Sequence, residues 1–461
     1  MTTYFFCGIG GSGMLPLALI LQGQGATVSG SDRSYDQGRT PEKFSWIKEQ
    51  GIPLFSQDGS GVTGAVTALV VSTAVEDSIP DVAAAKKLGI PIIKRAELLA
   101  ERFNNAEARI AVAGTSGKST TTGMIGYVLH AAGLNPTVMN GAVFKNFQTP
   151  KNPYATALSG DASLFVTEAD ESDGSISFYN PTIAVLNNIA LDHKTMDELK
   201  ELFDAFLSKA DTCVLNLDNQ YVADMASHHT ETCVTYALDY PTARLIATDI
   251  VPDGRSVSCL VTDQHTKQSC ALKLQVPGRH NISNALACIG TCLLLGLSLK
   301  DICTSLGEFT GIKRRMEVIG SRNLVTVIDD FAHNPDKITA TLSTLKESPG
   351  NIHIIFQIHG YNPIRLMRRE FADVFSKYLG PQDSIYIPEV LYLGGTVDRS
   401  VTAQDLVNDM RGLGINAHWL AKREDALPGI IKSKTPGDRI VVMGARDDTL
   451  SEFARDILNR M

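Results

Sequence analysis

The sequence lacks the features that would place it in several large classes at once. No run approaches the roughly 18 consecutive apolar residues of a membrane-spanning helix. None of its eight cysteines forms a C-x-x-C pair, so the commonest zinc and redox frameworks have no foothold. Cys288 and Cys292 are four apart on a predicted helix, but no two further ligands stand near them to complete a tetrahedral site. The expectation is reduced thiols in a cytoplasmic setting. Cations are not in surplus either. Lys and Arg total 42 against 50 Asp and Glu, a net charge of −8, which argues against a general nucleic-acid binder. There is no internal repeat and no low-complexity tract. The opening "MTTYFFCGIGGSGM" has no basic leader before its apolar run, and it predicts a first strand rather than a signal peptide.

What is present is a long, ordinary, globular composition. The chain has 461 residues, which at about 150 per domain suggests three domains. Apolar residues make up 44% and charged residues 20%. Short β-branched runs such as "TALVVSTA", "RIAVAGT", "ASLFVTEAD", "LVTVIDD" and "DRIVVMGA" alternate with helical patterns, the signature of βαβ units and parallel sheets. The stretch 233–276 has a different texture and predicts a small antiparallel insert. The expected architecture is α/β in three domains: 1–107, 108–318 and 319–461.

Two glycine loops carry the chemistry. In "AVAGTSGKST" an apolar run leads through Gly114 and Gly117 into a helix, so backbone N–H groups and the helix N-terminus converge on one anion. Lys118 is expected to reach the β- and γ-phosphates of a nucleotide, and Ser119 or Thr120 to offer a hydroxyl to Mg²⁺. The full phosphate-loop pattern wants glycine at 112, where Val112 stands, so a tight strand-to-helix turn is the competing reading. The other loop, "GIGGSG", sets Gly8, Gly10 and Gly13 in G-x-G-x-x-G spacing, with Asp32 19 residues on and placed for a ribose. Two diphosphate sites in one chain suggest ATP plus a nucleotide-linked substrate. "TEADESDGS" then places Glu168 at the end of a strand, and "NNIALDH" places Asp192 and His193 at the end of the next; an oxygen ligand and an imidazole there suit Mg²⁺ against a γ-phosphate. The competing reading is a solvated acidic turn and a helix cap at Asp192. The acids of the cluster other than Glu168 are expected to be solvated or to stand behind it.

Taken in order, "GIGGSGM", "VSTAVEDSIPDVAAAKKLGIPIIKRAELLAE", "GTSGKSTTT", "EADESDGS", "NNIALDH", "VPGRHNISNALA", "GIKRRMEVIG", "VIDDFAHNPDKITATL" and "PGDRIVVMGA" resemble the ATP-dependent Mur ligases of peptidoglycan synthesis. The resemblance implies a Rossmann-like N-terminal domain for a UDP moiety, a central P-loop ATPase domain and a Rossmann-like C-terminal domain that closes over the nucleotide. It implies a carboxylate of UDP-N-acetylmuramate phosphorylated by ATP with Mg²⁺ and then attacked by an amine, L-alanine in first place and a stem tripeptide as the alternative. By the same resemblance Gly8, Gly10, Gly11, Gly13 and Asp32 would hold the UDP diphosphate. Gly114, Thr115, Gly117, Lys118, Ser119 and Thr120 would hold ATP, with Ser119, Glu168 and His193 on Mg²⁺. His280, Asn281 and Asn284 would lie on the adenine side, Arg315 would reach the phosphates, and Asp330 and His333 would come from the third domain. For His280 and the two amides, helix capping and interdomain hydrogen bonding is an equal alternative, and for Arg315 a surface ion pair is the other reading.

Four positions depart from the family pattern: Ser116 stands where histidine is usual, Gly360 where arginine is usual, Asn334 in place of a second histidine and Arg446 where glycine is usual. Arg365 is placed to compensate for Gly360. These departures fall on acceptor recognition and leave the ATP motifs whole. A nicotinamide oxidoreductase would leave "GTSGKS" and "EADESD" without a role. A ligand sensor would draw support from the departures alone. A ligase of other carboxylates would have no use for the "GIGGSGM" domain.

Overall fold

The computed structural model describes residues 2–73, 75–172, 174–191, 194–229, 233–392, 398–447 and 449–461. The chain divides into two compact units: Met1–Ala247, Val261–Cys270 and Ser283–Leu306 form the first, and Thr248–Leu260, Ala271–Ile282 and Gly307–Met461 the second.

The first unit holds two sheets, parallel except for β8, which runs antiparallel to β7. In the N-terminal one, β1 (Thr3–Cys7), β2 (Thr27–Ser31), β3 (Leu54–Phe55), β4 (Ala68–Val71) and β5 (Ile92–Lys94) take the order β3-β2-β1-β4-β5. The order reverses at β1, whose end opens into the first glycine loop, the usual place for a ligand crevice in such a sheet. The next sheet is built from β6 (Ala108–Ala113), β7 (Pro136–Met139), β8 (Ala157–Leu158), β9 (Asp161–Glu168), β10 (Ile183–Leu186), β11 (Thr212–Asn216), β12 (Cys233–Ala237) and β13 (Leu245–Pro252), in the order β13-β12-β11-β10-β6-β9-β7-β8. Strand β6 lies parallel between β9 and β10, so the ends of all three open on one crevice. Val112, Val166 and Val185 on these strands are fully buried, as strands covered on both faces require.

One continuous core joins the two sheets. Phe103 packs edge-on against Phe165 and Tyr179, with ring centroids 5.8 and 5.1 Å away. Trp46 tilts against Tyr154 at 5.2 Å and donates its indole N–H to the Lys151 carbonyl. The glycine loop and the phosphate loop are thereby fixed within one unit.

The expected antiparallel insert at 233–276 is corrected at its start. Strand β12 pairs parallel with β11 on one side and with β13 on the other. Its alternation of half-buried Cys233 and Thr235 with buried Val234 and Tyr236 imitates a one-faced strand, yet it extends the parallel sheet. Two further strands, β14 (Val257–Asp263) and β15 (Gln268–Leu274), follow; like β13, whose residues from Thr248 on fall in the second unit, they are shared between the units.

The second unit is a six-stranded sheet of β16 (Glu317–Arg322), β17 (Val325–Asp330), β18 (Ile352–Gln357), β19 (Ser384–Pro388), β20 (Ala417–Leu420) and β21 (Arg439–Gly444), ordered β16-β17-β21-β18-β19-β20 and parallel except for β16. Near the starts of its strands His353 lies between Ser384 (2.8 Å) and Asp438 (3.2 Å). All three are at most 3% exposed, so this Ser–His–Asp arrangement ties strands together and is closed to substrate. Among the described residues no helix is long and apolar enough to cross a membrane.

Candidate functional site

The phosphate loop is shaped by the strands beside it. Gly117 has φ +86°, in the left-handed region, and a side chain there would stand 2.5 Å from the Asn284 Oδ1 and 2.8 Å from the Asn187 Nδ2. Glycine is required on both counts. The helix Lys118–Ala131 that follows has no side-chain cap, so its first-turn N–H groups are left for an anion. Asn188, from the end of β10, fixes the loop from both sides: its Oδ1 accepts from the Ser116 N–H at 2.8 Å and its Nδ2 donates to the Ser116 carbonyl at 3.1 Å. Thr115 adds two bonds, its hydroxyl donating to the Ala190 carbonyl and accepting the Ala190 N–H. Asn187 donates to the Thr121 hydroxyl and accepts from the Tyr236 hydroxyl on β12. The loop is thus set before any ligand arrives. Ser116 sits in it with its backbone pinned, which fixes where a histidine side chain would otherwise project.

Three sequence-predicted residues meet at the mouth. Lys118 Nζ donates to the Gly114 carbonyl and to Glu171 Oε2, each at 2.7 Å, and stands 3.9 Å from Asp170. Burial works to lower the pKa of this ammonium, but the carboxylates of Glu171, Asp170 and Glu168 outweigh it and hold the group above the usual lysine value. Ser119 Oγ donates to Glu168 Oε2 at 3.0 Å, and Gly141 N–H donates to Glu168 Oε1 at 2.6 Å. Thr120 is buried on the same helix. Glu171 was expected to be solvated or to stand behind Glu168; it is buried and ion-paired directly with Lys118. The signal that could have found it is the requirement that a buried lysine bring a counter-ion. Asp192 and His193 lie outside the described residues.

At the other glycine loop, Gly8 N–H and Ile9 N–H both donate to the Ser31 carbonyl, and Gly11 N–H to the Gly8 carbonyl. Asp32 is drawn inward. Its Oδ2 accepts from Gly10 N–H and its Oδ1 from Ser34 N–H, both at 2.8 Å, so it locks the loop and caps the short helix Arg33–Asp36. Lys43 donates to the Gly10 carbonyl at 2.5 Å, a cation the sequence pattern does not mark. Gly13 ends the loop at the head of the helix Met14–Gly23.

The residues expected on the adenine side divide. Asn284 is buried against the phosphate loop and accepts from the Thr121 hydroxyl at 3.2 Å. In the second unit, Asn281 donates to the Pro277 carbonyl at 2.7 Å, and His280 Nδ1 lies 3.3 Å from the Thr344 hydroxyl. Burial pushes the His280 imidazole down to about 4, which keeps it neutral.

The second unit gathers a cluster of its own at the strand ends. Arg315 lies over the Phe331 ring at 4.5 Å, and His333 stacks edge-on to Phe331 and to His359. Burial, with help from the Lys337 charge, holds His333 well below the usual histidine value. Arg314, which the sequence does not single out, is the more buried of the two arginines. It donates to the carbonyls of Gly444 and Asp447 and pairs with Asp329 at 3.4 Å. Asn334 is a helix cap, accepting from Lys337 N–H. Arg446 takes φ +57°, in the left-handed region that favours glycine. Gly360 has φ +72° and ψ 153°, heads the helix Tyr361–Tyr378, and donates its N–H to the Leu391 carbonyl. Arg365 is exposed on that helix, near Asn362.

Asp330 gives a pH prediction. It accepts from Thr341 Oγ1 and Ala332 N–H, yet burial pushes its carboxyl up to about 6. In the unfolded chain an aspartate titrates near ~3.9. Between those values the folded state binds more protons, so this contribution to stability is complete below about pH 4 and lost as pH rises through about 6. Urea unfolding at pH 4.5 and 7.5 should show Asp330→Asn gaining on the parent by about 2–3 kcal/mol at the higher pH. An equal difference at both pH values would refute the assignment.

Comparison with known proteins converges on one group. Residues 3–106 match the model of the Mur ligase family catalytic domain, 112–292 that of the Mur ligase middle domain, and 314–446 that of the Mur ligase glutamate ligase domain. The chain is 33% identical over 479 residues to the UDP-N-acetylmuramate–L-alanine ligase of Rickettsia bellii, covering 99% of this chain and 96% of the relative. The chain belongs to the Mur ligase family. Another relative, the UDP-N-acetylmuramate–L-alanine ligase of Agathobacter rectalis, is 30% identical over 469 residues and covers 99% of this chain and 97% of its own. Among solved structures, the UDP-N-acetylmuramate–alanine ligase of Thermotoga maritima superposes with a TM-score of 0.79 at 25% identity, covering 100% of this chain and 99% of that one. The murein peptide ligase of Psychrobacter arcticus shares the fold, with a TM-score of 0.69 at 24% identity over 100% of this chain and 98% of that one. The three-domain α/β Mur ligase fold expected from the sequence is the fold found.

Proposed function

We propose that this Mur ligase joins UDP-N-acetylmuramate to L-alanine, using ATP and Mg²⁺. The observation that carries the reading is the convergence of Lys118, Ser119 and Glu168 at the ends of parallel neighbours β6 and β9, in the same compact unit as the "GIGGSG" loop. A carboxylate is a poor electrophile because oxide would have to leave. Transfer of the γ-phosphoryl group forms a new O–P bond to the carboxylate, breaks the bond to ADP, and gives an acyl phosphate, a mixed anhydride from which an amine can displace phosphate. The amine nitrogen then bonds to the carbonyl carbon, phosphate departs with the electron pair, and the nitrogen gives up its proton. Two anions must be brought together for the first step, so the residues in the crevice act chiefly by neutralising and orienting charge.

Lys118 is proposed to exchange its contact with Glu171 for nucleotide phosphate. Gly114, Thr115, Gly117 and Thr120 would supply loop and helix N–H groups, and Asn284 would hold the loop against the nucleotide. The Ser119 hydroxyl and the Glu168 carboxylate are hard oxygen donors 3.0 Å apart, a set that fits Mg²⁺. Bound there, the ion would offset charge on the transferring phosphoryl group. His193, as the companion ligand, and His280, Asn281, Arg315, Asp330 and His333, as nucleotide contacts, rest on the family resemblance. The acceptor rests on the printed activity of the relatives.

Phosphate release with ATP, Mg²⁺ and UDP-N-acetylmuramate should be stimulated by L-alanine and not by glycine, L-serine or the stem tripeptide. Stimulation by the tripeptide alone would move the acceptor assignment to it. Silence with every amine would end the ligase reading.

A further inference from the structure

Two thiols that the chemistry above does not use stand side by side in the central sheet. Cys213 on β11 and Cys233 at the head of β12 are register partners on neighbouring parallel strands, so their side chains leave the sheet on the same face. Register partners on adjacent strands lie about 4.8 Å apart, inside the window of about 4.4–6.8 Å between the α-carbons of a disulfide. Both residues are thiols here, and they share a hydrogen bond. Their exposure differs. Cys213 is 2% exposed and packs under the end of the helix Met196–Leu207, its Sγ 3.9 Å from the Leu207 carbonyl. Cys233 is half-buried. The hydrogen bond with Cys233, reinforced by burial, holds the Cys213 thiol far above the usual cysteine value. Reaction with a reagent in solution therefore begins at Cys233. A second close pair, Cys288 and Cys292, has its sulfurs 3.9 Å apart, but both are fully buried and closed to reagents.

The same two strands end behind the phosphate loop. Three residues beyond the cysteines, about 10 Å along the strands, Asn216 and Tyr236 are again register partners. Asn216 Nδ2 donates to the Asn187 carbonyl at 2.8 Å, and the Tyr236 hydroxyl donates to Asn187 Oδ1 at 3.2 Å. Asn187 Nδ2 in turn donates at 3.0 Å to the Thr121 hydroxyl, in the first turn of the helix Lys118–Ala131. All four of these residues are buried. Joining the two sulfurs would bring them from hydrogen-bonding contact to about 2.05 Å. A close-packed interior transmits such a displacement instead of absorbing it. Drawing in one end of the β11–β12 pair therefore tilts the other end, and Asn187 is the side chain that receives the tilt.

We propose that Cys213 and Cys233 are a reversible disulfide site that, when oxidised, weakens ATP binding at the phosphate loop. The oxidant is a small disulfide such as oxidised glutathione. The Cys233 thiol gives up its proton, its sulfur bonds to one glutathione sulfur, and the other glutathione leaves as a thiolate. The Cys213 sulfur then bonds to the Cys233 sulfur and loses its proton while the second glutathione departs. Two protein thiols are oxidised and one disulfide is reduced to two thiols. The coupling to ATP rests on the proposed function; the disulfide does not. The full chain, Cys233→Ser and Cys213→Ala would each be treated with oxidised glutathione, digested without reduction for mass spectrometry, and titrated with ATP by calorimetry before treatment, after it and after dithiothreitol. Before treatment all three should bind ATP alike. The treated parent should yield a linked peptide pair holding both cysteines. Its Kd for ATP should rise by about 3–10-fold, the worth of one hydrogen bond, and return on reduction. Cys213→Ala should stop with glutathione held on Cys233, and Cys233→Ser should form no link and keep its ATP affinity. A treated parent without the linked pair would overturn the disulfide. A linked pair with an unchanged Kd would overturn the coupling, and an equal loss of affinity in treated Cys233→Ser would overturn the site. A reduced parent that binds ATP but releases no phosphate with any amine would sink the ligase reading alone. A parent that binds no ATP would sink the coupling with it, and the linked peptides would still decide the disulfide.

Discussion

Lys118→Ala should lower ATP turnover by at least ~10²–10³-fold, the usual consequence of removing one charge-stabilising group from a reacting centre. The effect has two sources. The ammonium leaves the crevice where phosphate charge must gather, and Glu171, 4% exposed, loses its ion-pair partner at 2.7 Å. An unpaired buried carboxylate repels the incoming nucleotide. UDP binding at the "GIGGSG" loop should persist, showing that the variant is folded. Turnover within about tenfold of the parent would contradict the role given to Lys118.

The second large effect is on stability and falls on a residue the sequence does not mark. Arg314→Ala should destabilise the second unit by about 3–5 kcal/mol, because it strands a buried charge. Asp329 has no exposed surface and keeps its Ser451 hydrogen bond, but it would lose its guanidinium partner, and the carbonyls of Gly444 and Asp447 would lose theirs. Burial already pushes the Asp329 carboxyl up against the pull of Arg314, and in the variant it would rise further. Equilibrium unfolding of the parent, Arg314→Ala and Arg315→Ala should show a large loss for the first variant and a small one for the second. Equal losses would mean that Asp329 does not depend on Arg314.

The sequence was most informative where chemistry is local. The Gly114–Thr120 loop is one continuous segment, and Glu168 ends a strand that a βαβ reading places beside it, so their meeting followed from strand order. The rest depended on contacts across long separations. Asn188 clamps Ser116 from 72 residues away, and Asp81 reaches Ser31 across 50. Neither bond leaves a trace in spacing or periodicity. Asp32 shows a different limit: the fingerprint correctly marks an acid near the loop, but the side chain spends both oxygens on backbone N–H groups. Strand β12 misled because the texture of the stretch around it read as an antiparallel insert, whereas the strand extends the parallel sheet.

Gly360 sets a boundary on how this loop can be altered. With φ at +72° and ψ at 153°, it occupies a backbone region almost closed to side-chain-bearing residues. An arginine at this position would force the turn to rebuild, and with it the bond to Leu391. Placing a side chain here therefore needs the whole segment exchanged together, and single-residue grafts at this position would fail as engineering.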